Sequence, residues 1–291
     1  MGYLFEIVTD STANLPEDII EQYNLSILSL SFIVEGTEYK GYVKGETVDL
    51  NQFYQMMREK KEITTSLANT QAAYDMMKPI LEAGKDVLYL AFSSGLSSTY
   101  QAVNAAVEEL KEEFPNRKIF CVDSLSAALG EGLFVKYVID KREEGASIED
   151  AYQWAIDNRL KIVHAFTVDD LFFLKRGGRI SAATAVIGTA LNVKPVLHVD
   201  NEGHLISLNN VRGRKKSLDA LVKMMEEKVE NPEGQVVYIS HGDCIKDAEY
   251  VANKVKERFP VKEVMIRTLD PVIGAHSGPG TVALFFYGKE R

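Results

Sequence analysis

The sequence predicts an α/β protein, because short β-rich runs alternate with longer helical segments along most of the chain. The composition agrees with this class, since 46% of the residues are hydrophobic and 26% are charged, as in globular proteins. A chain of 291 residues is long enough for one large domain or two ordinary ones.

The first half alternates between strands and helices. YLFEIVTD is predicted as a strand that ends in a polar loop, after which Pro16 begins a short helix. LSILSLSFIVEG is predicted as a second, uninterrupted strand. Apolar residues at helical spacing predict helices in DLNQFYQMMREKK and TQAAYDMMKPILEAGK, and the strands DVLYLAF and KIFCVDS each lead into a helix. This order is typical of parallel sheets covered by helices.

The pattern changes after Lys161. Short strands there mix with glycine-rich turns, and a segment of small apolar residues covers 182–191. VDNEGHLISL predicts a β-hairpin with its turn at 201–203. We therefore expect two domains, residues 1–162 and residues 163–291, with a cleft between them.

Charge and hydropathy exclude several classes of protein. The net charge of −9 argues against a general nucleic-acid binder, which needs a basic face. No run of 18 apolar residues predicts a membrane span, and the first ten residues lack the basic and apolar regions of a secretory signal. Only Cys121 and Cys244 are cysteines, which fits a reducing compartment. We expect a cytoplasmic protein without a structural zinc site.

Three hydroxyl-rich loops follow predicted strands or precede helices: VTDST, EITTSLANT and AFSSGLSSTYQ. Ligands in parallel α/β sheets bind beyond the carboxyl ends of strands. Hydroxyl and free backbone N–H groups suit an anion, either phosphate or carboxylate. Helix capping remains the alternative for each residue alone, because Ser, Thr and Asp are common N-caps.

Standard catalytic motifs are missing from these loops. The chain has no phosphate-loop motif, and a dinucleotide fingerprint at 278–283 is followed by too few residues for a βαβ unit. No G-x-S-x-G motif frames a nucleophilic serine, and sequence adjacency does not make His241 and Cys244 a catalytic pair. The five histidines show no metal-ligand spacing on one helix face, so we expect no metal site.

His276 differs from the other histidines in its setting. It stands between Gly274 and a Ser-Gly-Pro-Gly turn, which predicts an irregular loop that approaches another surface closely. A histidine there can donate a hydrogen bond to an anion. The alternative is a loop histidine that bonds a backbone carbonyl.

Two basic clusters remain, LKRGGRI and VRGRKK. Solvated surface is one interpretation of both. In an acidic protein such clusters also suit an acidic partner or the phosphates of a nucleotide.

Taken together and in order, IVTDSTANLP, TTS, FSSGLSSTYQ, VDS, VDDLFFLKRGGRI, KPVLHVDNEG, VRGRKK and GAHSGPG resemble the DegV family of bacterial fatty-acid-binding proteins. The resemblance extends from Phe5 to Gly288. It implies a two-domain fold, with a parallel-sheet α/β domain followed by an α/β domain with a mixed sheet, and one long-chain fatty acid held between them.

The resemblance also implies roles for particular residues. The fatty-acid carboxylate would be bound by hydroxyl groups and a histidine, and two arginines would meet a partner protein. The hydroxyl set and the histidine are Thr65, Ser66, Ser93, Ser94, Ser97 and His276; the docking arginines are Arg179 and Arg212. The chain departs from the family at TSLAN, where TSQP is frequent, so the shape of the following loop does not carry over.

By the same resemblance the protein is no enzyme by itself. It would be the acyl-carrying subunit of a fatty-acid kinase, presenting the carboxylate to a separate ATP-binding subunit, and the acyl-phosphate would enter phospholipid synthesis. No cofactor, no nucleic acid and no stable membrane insertion are expected, and we expect a monomer.

Two alternatives stay open. One is a stand-alone hydrolase or transferase that uses Ser94 with His276, although no orienting acid is evident. The other is a carrier for a different amphiphile. Phe166, Ile187 and Leu191 belong either to the wall of the lipid tunnel or to the ordinary core.

Overall fold

Strands and helices alternate through the chain, as the sequence predicts. The computed structural model describes residues 3–181 and 192–291. The first part forms β1 (Phe5–Asp10), α1 (Glu17–Gln22), β2 (Ser26–Leu28), β3 (Ser31–Val34), β4 (Thr37–Lys40), α2 (Leu50–Arg58), β5 (Ile63–Ser66), α3 (Thr70–Glu82), β6 (Asp86–Ala91), α4 (Thr99–Glu113), β7 (Ile119–Asp123), α5 (Leu129–Glu143) and α6 (Ile148–Asn158). The second part forms β8 (Ile162–Thr167), α7 (Phe172–Arg176), β9 (Val193–Val199), β10 (Leu205–Arg212), α8 (Arg214–Lys228), β11 (Val236–His241), α9 (Ile245–Arg258), β12 (Glu263–Thr268), α10 (Pro271–Ser277) and β13 (Val282–Tyr287).

These strands form three sheets. A four-stranded parallel sheet has the order β2-β1-β6-β7, and a mixed six-stranded sheet has the order β10-β9-β8-β13-β11-β12. A small antiparallel sheet has the order β4-β3-β5. The predicted fold class is confirmed, with a parallel sheet in the first half and a mixed sheet in the second. None of the helices in the described ranges is long and apolar enough to cross a membrane.

The segment predicted as one long strand is divided at residues 29–30, and that prediction is wrong. β2 pairs with β1 in the parallel sheet, whereas β3 pairs with β4 and β5. The division occurs because the backbone of Leu30 is bonded outside any ladder. Its N–H donates to the Ser11 hydroxyl at 3.0 Å, and its carbonyl accepts from the N–H of Gly41 at 2.7 Å.

The predicted hairpin is confirmed. β9 and β10 pair antiparallel, with Leu205 opposite Val199, and the turn between them includes the predicted 201–203. The small-residue segment at 182–191 lies outside the described residues, as do Ile187 and Leu191.

Helix α5 lies at the centre of the molecule. It packs against β8, β11 and β13 of the mixed sheet and against the 3₁₀ turn Ser11–Ala13 that follows β1. A Cβ at Gly130 would lie 2.2 Å from Nε2 of His164, and one at Gly132 would lie 2.5 Å from the carbonyl of Ala13. Both glycines therefore allow the helix to approach the two sheets at once. On the opposite face of the mixed sheet, α8 and α9 cover a second apolar core.

Arg291 ties several of these segments together. Only 7% of the residue is exposed. Its guanidinium donates to the carbonyls of Ile162, Leu125, Asp200 and Arg159 and to the hydroxyl of Ser126. These acceptors belong to the loop after β7, the end of α6, the start of β8 and the β9–β10 turn. Loss of the donor would leave several buried carbonyls without a partner, at a cost of about 1–3 kcal/mol for each.

We expect Arg291→Ala to lower the free energy of unfolding by at least ~2 kcal/mol, because two or more buried acceptors lose their donor. Urea denaturation followed by circular dichroism measures this change. Lys289→Ala, at an exposed neighbouring position, is the control and should change stability by less than ~0.5 kcal/mol. Equal stability of the two variants would show that the Arg291 hydrogen bonds do not hold these segments together.

Candidate functional site

A cavity of about 420 Å³ lies where the three sheets meet. Its first side is made of residues that follow β2, β6 and β7, at the carboxyl ends of the parallel strands, as expected for this sheet type. Its other side is made of β8, β13 and α10. The wall is largely apolar and includes Leu30, Leu67, Phe92, Leu96, Ala127, Ala128, Phe166, Leu174, Val199, Leu205, Leu269, Val272, Ile273, Ala283 and Phe285. Phe166, for which the sequence left two roles open, is a wall residue.

A contact between Thr65 and His276 connects the small antiparallel sheet to α10 at the cavity wall. Oγ1 of Thr65, in β5, lies 2.8 Å from Nε2 of His276, in α10. These residues are 211 positions apart in the sequence, and the resemblance to the DegV family implies that they act at one site. The other ring nitrogen, Nδ1 of His276, is buried and has no hydrogen-bond partner within residues 3–181 and 192–291. Nδ1 is enclosed by the backbone at Gly177, so Nε2 and the Thr65 hydroxyl form the polar contact at the cavity wall.

His276 lies on a helix, so the prediction of an irregular loop is wrong. Asp270 caps α10 by accepting hydrogen bonds from the N–H groups of Val272 and Ile273, and Pro271 occupies the first turn. The helix ends at Gly278, whose φ of 85° is unfavourable for other residues. The glycine-rich turn is thus a helix stop placed directly after His276.

Gly177 accounts for the close approach that the sequence predicted, although it lies elsewhere in the chain. A Cβ at this position would lie 2.1 Å from Nδ1 of His276. The segment after α7 therefore covers the imidazole directly. Flanking glycines 274 and 278 contact Tyr54 and Phe173 instead, so they serve the packing of α10.

Two arginines border the imidazole. Burial, reinforced by the positive charges of Arg179 and Arg176, lowers the pKa of His276 to about 4. His276 is therefore neutral at pH 7. Arg176 donates weakly to the carbonyls of Ile63 and Ala275, at 3.5 and 3.4 Å. Neither arginine forms an ion pair within the described part of the chain.

Arg179, predicted for the partner surface, lines the cavity. Its guanidinium donates twice to the carbonyl of Leu96, at 3.1 and 3.0 Å, and once to that of Gly177. Burial lowers the pKa of this guanidinium from its usual value. Arg212, predicted for the same surface, is exposed at the end of β10. The two arginines thus have different environments.

Most serines of FSSGLSS line the cavity, and one supports the loop that carries them. Ser94 and Ser97 line the cavity; the Ser94 N–H donates to Asp123 at 3.1 Å, while the Ser97 hydroxyl lies 2.9 Å from that of Thr99. Ser93 is fully buried and does not line the cavity. Its hydroxyl donates to the carbonyl of Gly203 at 2.9 Å. Ser93 therefore anchors this loop to the β9–β10 turn.

Ser66 also lines the cavity, beside Thr65 in β5. The Thr65–Ser66 pair and the Ser94–Ser97 loop are therefore brought to one cavity, as the sequence predicted for these two clusters. The third cluster, VTDST, does not reach it. Its Asp10 accepts from the N–H of Phe92 at 2.9 Å and from Thr12, and burial raises the pKa of this carboxyl to about 6.

The geometry does not provide the groups of a serine hydrolase at Ser94. His276 Nε2 contacts Thr65, and in the described residues no carboxylate contacts Nδ1 to orient the ring. The thiol of Cys244 donates to the carbonyl of Thr281, and burial raises its pKa to about 12, so it is a poor nucleophile. Residues 3–181 and 192–291 contain no cluster of three His, Cys, Asp or Glu side chains able to hold a metal ion.

Sequence reasoning missed two features of this site. The position of Arg179 inside the cavity depends on Gly177 and Gly178, which turn the chain after α7, and the GG pair in LKRGGRI was the available signal. The unpartnered Nδ1 of His276 results from packing between segments that are distant in the sequence, for which there is no local signal.

Comparison with known proteins agrees with this architecture. The DegV family model, described as "Uncharacterised protein, DegV family", matches residues 4–289. A DegV domain-containing protein of Clostridium perfringens, CPE0026, is 40% identical over 287 residues, which are 99% of this chain and 98% of that protein. YteA of Lactococcus lactis is 35% identical over 98% of both chains.

Solved structures show the same similarity. A DegV family protein from Thermus thermophilus, described by its fatty-acid binding, superposes with a TM-score of 0.87 at 31% identity, over 98% of this chain and 99% of that one. DegV of Bacillus subtilis, described as a fatty acid binding protein, gives a TM-score of 0.84 at 26% identity, over 99% and 100% of the two chains. The family match spans nearly the whole molecule, including both sides of the cavity, and the chain therefore belongs to the DegV family.

Proposed function

We propose that this chain binds one long-chain fatty acid in the cavity and presents its carboxylate to a separate ATP-dependent kinase subunit. The observation that carries the proposal is the distribution of polarity. An apolar wall leads to one group of polar side chains, in which Thr65 and His276 touch and Arg179 lies close enough to shift the pKa of the imidazole. The fatty-acid binding described for the Thermus thermophilus and Bacillus subtilis relatives supports it.

An apolar wall supplies most of the binding free energy for such a ligand. Transfer of about fifteen methylenes from water contributes roughly 12 kcal/mol before the costs of association. The polar group at one end then needs only to position the carboxylate and to compensate for its desolvation. A few neutral donors and one cation meet that requirement.

The head-group site would consist of Thr65, Ser66, Ser94, Ser97 and His276, with Ser93 supporting the loop from behind. His276 is neutral in the ligand-free protein, and its Nε2 shares a hydrogen bond with the Thr65 hydroxyl that a carboxylate would join. A carboxylate nearby would favour the imidazolium and raise its pKa. Arg179 already donates to Leu96, so it would contribute mainly its positive charge.

The partner would act at this end of the cavity. In the proposed scheme the chain works as a monomer in the cytoplasm, with domains 1–162 and 163–291 enclosing the lipid. The kinase subunit transfers a phosphoryl group from ATP to the fatty-acid carboxylate, and the acyl-phosphate supplies phospholipid synthesis. Arg212 is exposed and free to meet an acidic surface of the kinase. No cofactor is required of this chain.

Native mass spectrometry of protein purified from a bacterial host tests the binding step. We expect one C14–C18 fatty acid per chain, and Thr65→Val should weaken its binding about tenfold, because one hydrogen bond to a charged group is lost. Thr65→Ser keeps the hydroxyl and is the matched control. If the bound lipid belongs to a different class, the protein carries that lipid and not a fatty acid. Failure to bind any added fatty acid would exclude the carrier function.

The His276 imidazole should take up protons when the ligand binds. Its pKa is about 4 in the free protein and rises beside a carboxylate, so the complex holds more imidazolium than the free protein at pH 5–6. Calorimetry in two buffers of different protonation enthalpy measures this uptake. His276→Gln should remove it, and the difference between wild type and variant cancels the titration of the fatty acid itself. An identical proton count in both proteins would place the carboxylate away from His276.

Arg212→Glu should leave fatty-acid binding unchanged and slow kinase-dependent acyl-phosphate formation about tenfold or more, because like charges oppose docking. The assay combines this chain, ATP and the kinase subunit of the same organism. Lys256→Glu, at an exposed position on α9, carries the same charge change and is the control. Loss of fatty-acid binding in Arg212→Glu, or equal slowing in both variants, would contradict the docking role.

A further inference from the structure

A second cavity of about 420 Å³ borders the first without sharing any of its lining residues. Gly41 marks the wall between the two. It lines the second cavity, and a Cβ at this position would lie 2.9 Å from the carbonyl of Leu30 and 3.1 Å from Cγ2 of Val272, which both line the first. The second cavity is bounded by the 3₁₀ turn after β1, the loop 41–49, the end of β12 and the start of α10.

The wall of this cavity carries a larger share of polar and charged residues than that of the first, beside apolar residues such as Leu15 and Leu50. It includes Ser11, Asn14, Glu17, Lys40, Tyr42, Glu46, Thr47, Arg267, Thr268 and Asp270. Two of its buried polar atoms have no hydrogen-bond partner within the described ranges, Nε of Arg267 and Oδ2 of Asp270. Buried polar atoms in folded proteins are nearly always bonded, so these two need an explanation.

One of the unpartnered atoms is a hydrogen-bond donor and the other is a carboxyl oxygen. Nε of Arg267 is a cationic donor, and Oδ2 belongs to a carboxyl group of which only 7% is exposed. The other oxygen, Oδ1 of Asp270, already accepts from the N–H groups of Val272 and Ile273 at 2.8 and 3.1 Å. A ligand at Oδ2 is therefore compatible with the cap of α10.

The two positive side chains of the cavity wall form no ion pair within the described residues. Arg267 is partly desolvated, and its strongest carboxylate influence is that of Asp18, outside the cavity wall. Lys40 is exposed on the rim, and neither residue forms an ion pair in the described part of the chain. A guanidinium in this state is the preferred protein group for a carboxylate or phosphate.

In the described residues the wall carboxylates Glu17 and Glu46 form no ion pair with Arg267 or Lys40. Glu17 accepts a hydrogen bond from the hydroxyl of Tyr42 at 3.2 Å, and Glu46 is exposed on the turn 43–46, where water solvates it. The occupant must thus accept hydrogen bonds from a cation and bond with Oδ2 of Asp270. Burial raises the pKa of this carboxyl to about 7, so Oδ2 accepts a hydrogen bond from the occupant at pH 8, where the group is ionised.

We propose that this cavity binds a small organic anion that carries at least one hydroxyl group. The anionic group, a phosphate monoester or a carboxylate, lies between Arg267 and Lys40, and the hydroxyl donates to Oδ2 of Asp270. The polar side chains Thr268 and Thr47 complete the surroundings. The cavity volume is within the usual range for small-molecule sites.

Isothermal titration calorimetry with the full chain tests the ligand class. The probes are glycerol 3-phosphate, glycerate, inorganic phosphate and glycerol. We expect saturable binding of glycerol 3-phosphate or glycerate, and which of them binds more tightly identifies the anionic group. Glycerol should not bind. If inorganic phosphate binds as tightly as glycerol 3-phosphate, the hydroxyl contact is wrong, and absence of binding by all probes at millimolar concentrations overturns the proposal.

Variants assign the binding to this cavity. Arg267→Gln and Lys40→Gln should each weaken the best probe about tenfold, the size expected when a hydrogen bond to a charged group is lost. Lys40 is exposed, so its variant keeps the fold and tests the site even if Arg267→Gln is unstable. Lys256→Gln is the charge-matched control. Undiminished binding in Lys40→Gln and in a folded Arg267→Gln would place the ligand elsewhere.

Asp270→Asn tests the hydroxyl contact separately. It retains an oxygen for the cap of α10 but replaces the second acceptor by an amide N–H₂. The preference for glycerol 3-phosphate over inorganic phosphate should fall about tenfold. An unchanged preference would remove Asp270 from the site.

Discussion

The side chain of Asn14 connects the parallel sheet to the helix that carries His276, and the geometry of the cavity depends on this connection. Its amide N–H₂ donates to the carbonyl of Thr268 at 3.0 Å, and its amide oxygen accepts from the N–H of Asp270 at 3.0 Å. Asn14 itself has a φ of 54°, a conformation that asparagine tolerates better than most residues. The residue thereby fixes the start of α10 against the end of β1. Because α10 has only seven residues, any shift at its start would move His276 with it.

An apolar ligand cavity tolerates polar side chains only if their own atoms are satisfied, and His164 shows how the protein achieves this. The residue is 2% exposed and lines the cavity. Its Nδ1 lies 3.1 Å from the carbonyl of Ile162, and Nε2 accepts from the N–H of Ala127 at 3.2 Å. Burial keeps the pKa of this imidazole well below its usual value, so the ring is neutral. Both nitrogens are used by the backbone, and the ring presents only carbon to the cavity.

Much of this arrangement was accessible from the sequence, because it depends on local patterns. Periodicity identified most strands and helices, and the resemblance to the DegV family implied that Thr65 and Ser94 would lie at one site. Two predictions failed for different reasons. Leu30 divides a predicted strand because Ser11 and Gly41 take its backbone hydrogen bonds, and His276 is helical because Asp270 caps a segment rich in glycine. The partners of Leu30 lie outside the local pattern, whereas Asp270 and Pro271 are a local helix start that outweighs the nearby glycines.

The polar end of the first cavity holds an imbalance of charge that a ligand is able to relieve. Arg176 and Arg179 bring two positive charges close to His276, and in the described residues no carboxylate pairs with either of them. Burial is the main cause of the low pKa of the imidazole, and these two charges lower it further, because a third positive charge at that point would be unfavourable. Because His276 is neutral, this end of the cavity holds two positive charges in the free protein. Both belong to arginines that donate to backbone carbonyls. An arriving carboxylate reverses the balance, since it is attracted by both cations and also favours the imidazolium. The same carbonyl bonds that stabilise the arginines in the free protein keep them from closing tightly on the anion. In the proposed function, a head group held in this way would be bound by charge and a few hydrogen bonds, which would leave its oxygen atoms available to the partner.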